Sequence, residues 1–169
     1  MISERTIFKS VAEATSNALA FTFDNVVRSE YGSPVEIKDK LNLLASIDQT
    51  PRYPVICFIT PCSIAENGSQ KSFEPEIWFV TPRNELKYSD EKKEQLFEQK
   101  LSLILDEFNI QLTRSKYIEN FQVSYTVTDR YNFGDNKRNE FADQLCMLQV
   151  KYNTLFINHN KNINTCYNS

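Results

Sequence analysis

Tyr53-Pro54-Val55-Ile56-Cys57-Phe58-Ile59-Thr60 is a short, unbroken apolar run rich in β-branched residues. Such a run predicts a strand covered on both faces. Pro54 fits near its start, where no ladder donor is needed. A polar interval, Ser63–Ser72, follows and contains the hairpin-type pair Asn67-Gly68. Pro75-Glu76-Ile77-Trp78-Phe79-Val80-Thr81 then predicts a second strand, closed by Pro82. The two runs make an expected antiparallel pair with a long connection. Trp78 has apolar neighbours on both faces of its strand, so core is its first reading and interface its second.

Upstream, Ile7, Val11, Ala14, Ala18 and Phe21 recur at spacings of four and three and predict a helix. Ser3 supplies a hydroxyl cap, and Glu4 a negative first turn. Tyr31-Gly32-Ser33-Pro34 reads as a turn. Val35 and Ile37 alternate with charged residues and suggest a short strand. Leu41, Leu43 and Leu44 suggest a helical turn, and Asp48–Arg52 a loop.

Downstream, Ser89–Phe108 is expected to be a helix with Ser89 as cap and Asp90 and Glu91 in its first turn. Its apolar stripe is Phe97, Leu101, Ile104, Leu105 and Phe108. Asn120–Thr128 alternates strictly, which predicts a strand with one buried and one wet face. Asp129–Arg138 reads as a polar loop. Cys146, Leu148, Val150 and Tyr152 alternate with Met147, Gln149 and Lys151, so Phe141–Ile157 turns β-like. The expected fold is α+β: a mainly antiparallel sheet of four to five strands, with two principal helices on one face. Residues 1–158 form one expected domain, and residues 159–169, rich in Asn and Lys, a flexible polar tail.

The chain has 169 residues, 19 basic and 22 acidic, for a net charge of -3. That near-balance gives no polybasic drive toward nucleic acid or a membrane surface. Met1–Ser10 shows no apolar signal-peptide core, and no apolar run is long enough to span a bilayer. The 12 Phe and 8 Tyr mark a chain that folds. Cys57 and Cys62 are not spaced as a zinc knuckle or redox pair, and His159 is the single histidine. Cys57 and Cys146 read as small buried hydrophobes, with Cys62 and Cys166 as further free thiols of a reducing compartment.

Three glycines, at 32, 68 and 134, cannot be written into a phosphate-cradling loop. The expectation is no catalytic residue, no metal and no cofactor. Glu74, Glu76 and Asp90 are the one acidic set that suggests a small metal-dependent hydrolase or nuclease-like domain. A wet strand face and a helix N-terminus account for the same residues. Asp129, Arg130, Tyr131 and Phe133 mix a charge pair with aromatics and are the candidate subunit interface. A strand-end ion pair with rings folded onto the core fits the same residues. A non-virion protein-binding adaptor is a further alternative.

Several strings occur in the order seen in one protein family. Tyr31-Gly32-Ser33-Pro34-Val35-Glu36-Ile37 resembles a Tyr-Gly-x-Pro-φ-Glu-φ element, with φ apolar. Tyr53-Pro54-Val55-Ile56 resembles the opening of that family's central strand. Lys87-Tyr88-Ser89 through Phe97 resembles the start of its long helix, with Glu91 one residue early. Ser115-Lys116-Tyr117 and Thr128-Asp129-Arg130-Tyr131 resemble two later steps. In these the Ser and Lys are exchanged, a spacer residue is missing from each, and Gly134 comes late. The family is the tail-terminator-like head–tail connector proteins of tailed bacteriophages, most like those of Bacteroidetes phages, the crAss-like group included. The resemblance implies a tail-terminator fold and a virion protein made in the host bacterial cytoplasm. It implies self-assembly into a six-fold or twelve-fold neck ring that meets the portal and other neck or tail proteins. DNA would pass through the lumen without sequence recognition, and no membrane would be involved. A mildly acidic chain suits that role, because a basic lumen would hold the DNA.

Overall fold

A computed structural model describes residues 3–20, 22, 27–46, 53–67, 70–82, 97–119, 122–133 and 145–157. The elements run α1 (Glu4–Ala18), β1 (Arg28–Gly32), α2 (Pro34–Ser46), β2 (Val55–Asn67) and β3 (Gln70–Pro82). A π-helical turn (Phe97–Leu101) then leads into α3 (Ser102–Arg114), followed by β4 (Tyr125–Phe133), β5 (Leu145–Tyr152) and β6 (Leu155–Ile157). The strands form one mixed, six-stranded sheet in the order β1-β2-β3-β5-β4, with β6 also on β3.

The α+β class holds, but the sheet has more strands than expected and is not wholly antiparallel. β1 pairs with β2 in parallel, from Arg28↔Val55 to Gly32↔Ile59. This pair exists because Ser33-Pro34-Val35-Glu36 starts a helix instead of a strand. The Ser33 amide donates to Glu36 Oε2 at 2.7 Å, and the Glu36 amide donates to Ser33 Oγ at 3.3 Å. That reciprocal box holds the helix N-terminus, and Pro34 sits in the first turn, where its missing N–H costs nothing. Ile37 and Leu41, one turn apart, then face the sheet at 0% and 2% exposure, while Val35 points to solvent.

The β2–β3 pair was legible, but its connection is short. The ladder runs from Val55↔Val80 to Asn67↔Gln70, with a register shift between Ile59 and Ser63. Ser63–Asn67 is exposed, so its polar composition belongs to a strand wet on both faces. β6, a short return strand, pairs Lys71↔Ile157 and Phe73↔Leu155.

The sheet has a core on each side. Ile56, Phe58, Phe73, Ile77, Phe79, Leu148 and Val150 face α1 and α3. Val55, Cys57, Ile59, Trp78, Val80 and Met147 face the side that α2 covers. Two helices therefore share one face as expected, and a third lies on the other. This double cover explains the unbroken apolar run at Val55–Ile59. Phe108 anchors the larger core, with ring centroids 5.5 Å from Phe79 and 6.4 Å from Phe8.

The buried stripe of α1 is Ile7, Phe8, Val11, Ala12 and Thr15, not the alanine line through Ala14 and Ala18. Phe8 and Ala12 displace that line because the bulky ring takes the sheet-facing position against Phe58 at 4.9 Å. Phe21 lies outside the described residues. Ser3 caps α1 as expected, accepting from the Thr6 amide. All five stripe residues expected for the long helix are buried, Phe97 and Leu101 in the π-helical turn and Ile104, Leu105 and Phe108 in α3. Its expected start at Ser89–Glu91 lies outside the described residues, as do Asp48–Arg52 and 159–169.

Candidate functional site

The candidate interface residues Asp129, Arg130, Tyr131 and Phe133 are on β4, not in a loop. β4 is the last strand of the sheet, pairing only with β5 among the described residues. The ladder runs Tyr125↔Tyr152, Val127↔Val150, Asp129↔Leu148 and Arg130↔Met147, then shifts register before Phe133↔Leu145. A register shift in an edge strand bends and twists it, and so turns its end away from regular pairing. Thr126, Val127, Thr128 and Asp129 are exposed, so polar residues suit this stretch. That is why Asp129–Phe133 reads as loop in the sequence.

The start of β4 is also later than expected. Regular pairing begins at Tyr125, and Phe121 lies outside the described residues. Tyr125 is half-buried, with its ring 5.5 Å from that of Tyr152. Val127, on the same face, is 44% exposed because this strand extends past the helix cover. Tyr152 is deeply buried, and its hydroxyl donates to Asn109 Oδ1 at 2.7 Å. Burial raises its pKa well above the ordinary value.

Glu74 and Glu76 fall together beside a cleft of about 250 Å³ that also includes Cys62, Ser63 and Lys151. Both carboxylates are engaged by neighbours. Glu76 Oε1 accepts from the Trp78 indole at 2.7 Å and from the Gln149 amide. Its other oxygen lies 3.8 Å from Lys151 Nζ. Glu74 Oε1 accepts from the Thr154 hydroxyl at 2.9 Å. Asp90 lies outside the described residues. Among the described residues, no three His, Cys, Asp or Glu side chains are grouped to share a metal ion.

The thiols follow burial. Cys57 and Cys146 are fully buried, as expected, and Cys62 is partly covered. Burial pushes the Cys57 and Cys62 thiols upward, away from thiolate character. Cys166 and His159 lie outside the described residues.

One constellation had no local signal in the sequence. Glu4 opens α1 and meets Lys71 of β3 at 2.9 Å. Arg5 lies 5.5 Å from the centre of the Tyr31 ring, which stacks on Phe58 at 5.1 Å. These partners come from distant parts of the chain, and only the tertiary fold brings them together.

No protein-family model matches the chain, and no curated protein matches it significantly. No helix among the described residues is long and apolar enough to cross a membrane.

Proposed function

We propose that this chain is a structural subunit of a tailed-phage virion. It forms or joins a ring at the head–tail connection, and its α+β domain is a tail-terminator-type fold. The ordered strings from Tyr31 to Tyr131 support the family. The outer position of β4, which pairs only with β5 among the described residues and carries the whole candidate interface, supports assembly.

β1 lies at the opposite end of the same sheet. A contact between two different surfaces of one chain is heterologous, and repeats of it close into a ring when the rotation permits. Edge strands offer unpaired backbone donors and acceptors for such a contact. The first two shared strings sit at element boundaries: Tyr31-Gly32 ends β1, Ser33-Pro34 opens α2, and Tyr53-Pro54 leads into β2. Boundaries fix chain direction, so likeness there bears on topology more than likeness on a wet face would.

Mass spectrometry of purified phage particles tests the assignment. The chain is expected at six or twelve copies per particle, beside portal protein. Its absence from particles would overturn the reading.

A further inference from the structure

A second cleft, of about 310 Å³, opens between α1 and the C-terminal end of α3. Its walls include Ser10 and Ala14 of α1 and Arg114, Ser115, Lys116 and Tyr117 from the end of α3 onward. None of its described lining residues is acidic. This sets it apart from the cleft beside Glu74 and Glu76.

The two cations here also differ from four lysines elsewhere among the described residues. Lys9, Lys40, Lys71 and Lys151 each lie within 4 Å of a carboxylate oxygen. Arg114 and Lys116 make no such ion pair among the described residues. Lys116 instead lies over the Tyr117 ring, 5.0 Å from its centre. Arg114 in the last turn of α3 complements the helix dipole, which accounts for one cation but not for two around a cleft. Ser115 Oγ accepts from the Tyr117 amide at 3.3 Å, so its hydroxyl hydrogen remains available to donate.

We propose that this cleft binds a small organic oxyanion: a phosphate or carboxylate group carried on an aromatic or short apolar body. The guanidinium of Arg114 provides a planar, two-pronged donor for such a group, and Lys116 a second positive charge. The hydroxyls of Ser10 and Ser115 add donors to the rim, which Gln111 also lines, its amide already donating to Glu107 Oε1 at 2.6 Å. Val11 and Ala14 supply an apolar wall, and Tyr117 a ring for the body of the ligand. The volume is at the lower end for a small-molecule site, which limits the body to about one ring. The site shares no residue with the proposed interface on β4 and stands whether or not the chain is a connector.

Titration of the full chain with phenyl phosphate, followed by amide chemical shifts, tests this. Inorganic phosphate is the matched probe without the ring. Saturable shifts are expected at Ser10, Ala14, Ser115 and Tyr117, with phenyl phosphate binding more tightly than inorganic phosphate. Arg114→Gln should weaken binding by about tenfold or more, the loss expected for one charged hydrogen-bonding partner. Lys9→Gln, outside the cleft, should leave it unchanged. Arg114 is exposed, and an unchanged circular dichroism spectrum will verify that its variant folds. Absence of saturable shifts would overturn the proposal. So would equal affinity for the two probes, or binding unaffected by Arg114→Gln.

Discussion

The Lys71 ammonium lies 2.9 Å from a Glu4 carboxylate oxygen and ties the first turn of α1 to the long β2–β3 hairpin. Both side chains are mostly covered, at 12% and 14% exposure. Burial pushes the Glu4 carboxyl up, but its bond to Lys71, its own backbone and the Lys71 charge together bring it below its ordinary 4.5. The Glu4 bond raises Lys71 above its ordinary 10.5.

The pair therefore stabilises the fold between those values. Its contribution is full above pH 4.5 and is lost as pH falls through the depressed Glu4 value. It also fades as pH rises through the raised Lys71 value. Glu4→Gln should cost about 1–2 kcal/mol at neutral pH, since it leaves a mostly covered ammonium with a neutral amide there and Glu66, at 3.9 Å, as its charged neighbour. Urea midpoints of both proteins across pH will measure this. The gap between them should narrow below pH 4.5.

Ser33→Ala removes one half of the box that starts α2. The expected loss is about 1 kcal/mol, read as a lower urea midpoint with unchanged slope. Glu36→Gln keeps an acceptor for the Ser33 amide and should be the milder variant.

Trp78 is the single tryptophan, so its fluorescence reports on the α2 side of the sheet alone. Glu76→Leu takes away the acceptor shared by the indole and Gln149. A loss of about 1–3 kcal/mol is expected, together with a shift in Trp78 emission in the folded protein. If Glu76 instead served only a catalytic purpose, its replacement would leave both readings unchanged.

Arg130→Ala should weaken assembly more than folding. Arg130 occupies an edge strand next to a register shift, where the sheet's own pairing ends. Its thermal midpoint should stay within a degree or two of the parent, a loss of under about 0.5 kcal/mol. Assembly, followed by light scattering, should fall. A variant that assembles normally would remove Arg130 from the interface.

The strongly apolar parts were legible in the sequence. Val55–Ile59 and Ile77–Val80 read as buried strands, and Phe97 to Phe108 as a helix stripe, because both sides of the core press on them. The misreadings lie where packing is one-sided or absent. Val35 and Ile37 looked like strand alternation over too few residues to separate the two periods. The Ser-Pro-x-Glu start and the Ile37/Leu41 spacing carried the correct helical signal. Ser63–Asn67 looked like a loop because an exposed hairpin has no apolar face to reveal its period. Asp129–Phe133 stands out in the sequence as a candidate site, but its edge-strand setting depends on pairing with β5, which local sequence does not encode. The Glu4–Lys71 bridge and the Arg114–Lys116 cleft depend on contacts made only after folding.

Ring formation is most directly tested by the solution mass of the purified full chain, measured by mass photometry and light scattering over rising concentration. A discrete closed oligomer is expected, six or twelve copies by the family likeness, that forms at the expense of the 19.7 kDa monomer and is weakened by Arg130→Ala. A chain that stays monomeric throughout, including when mixed with portal protein, would contradict it.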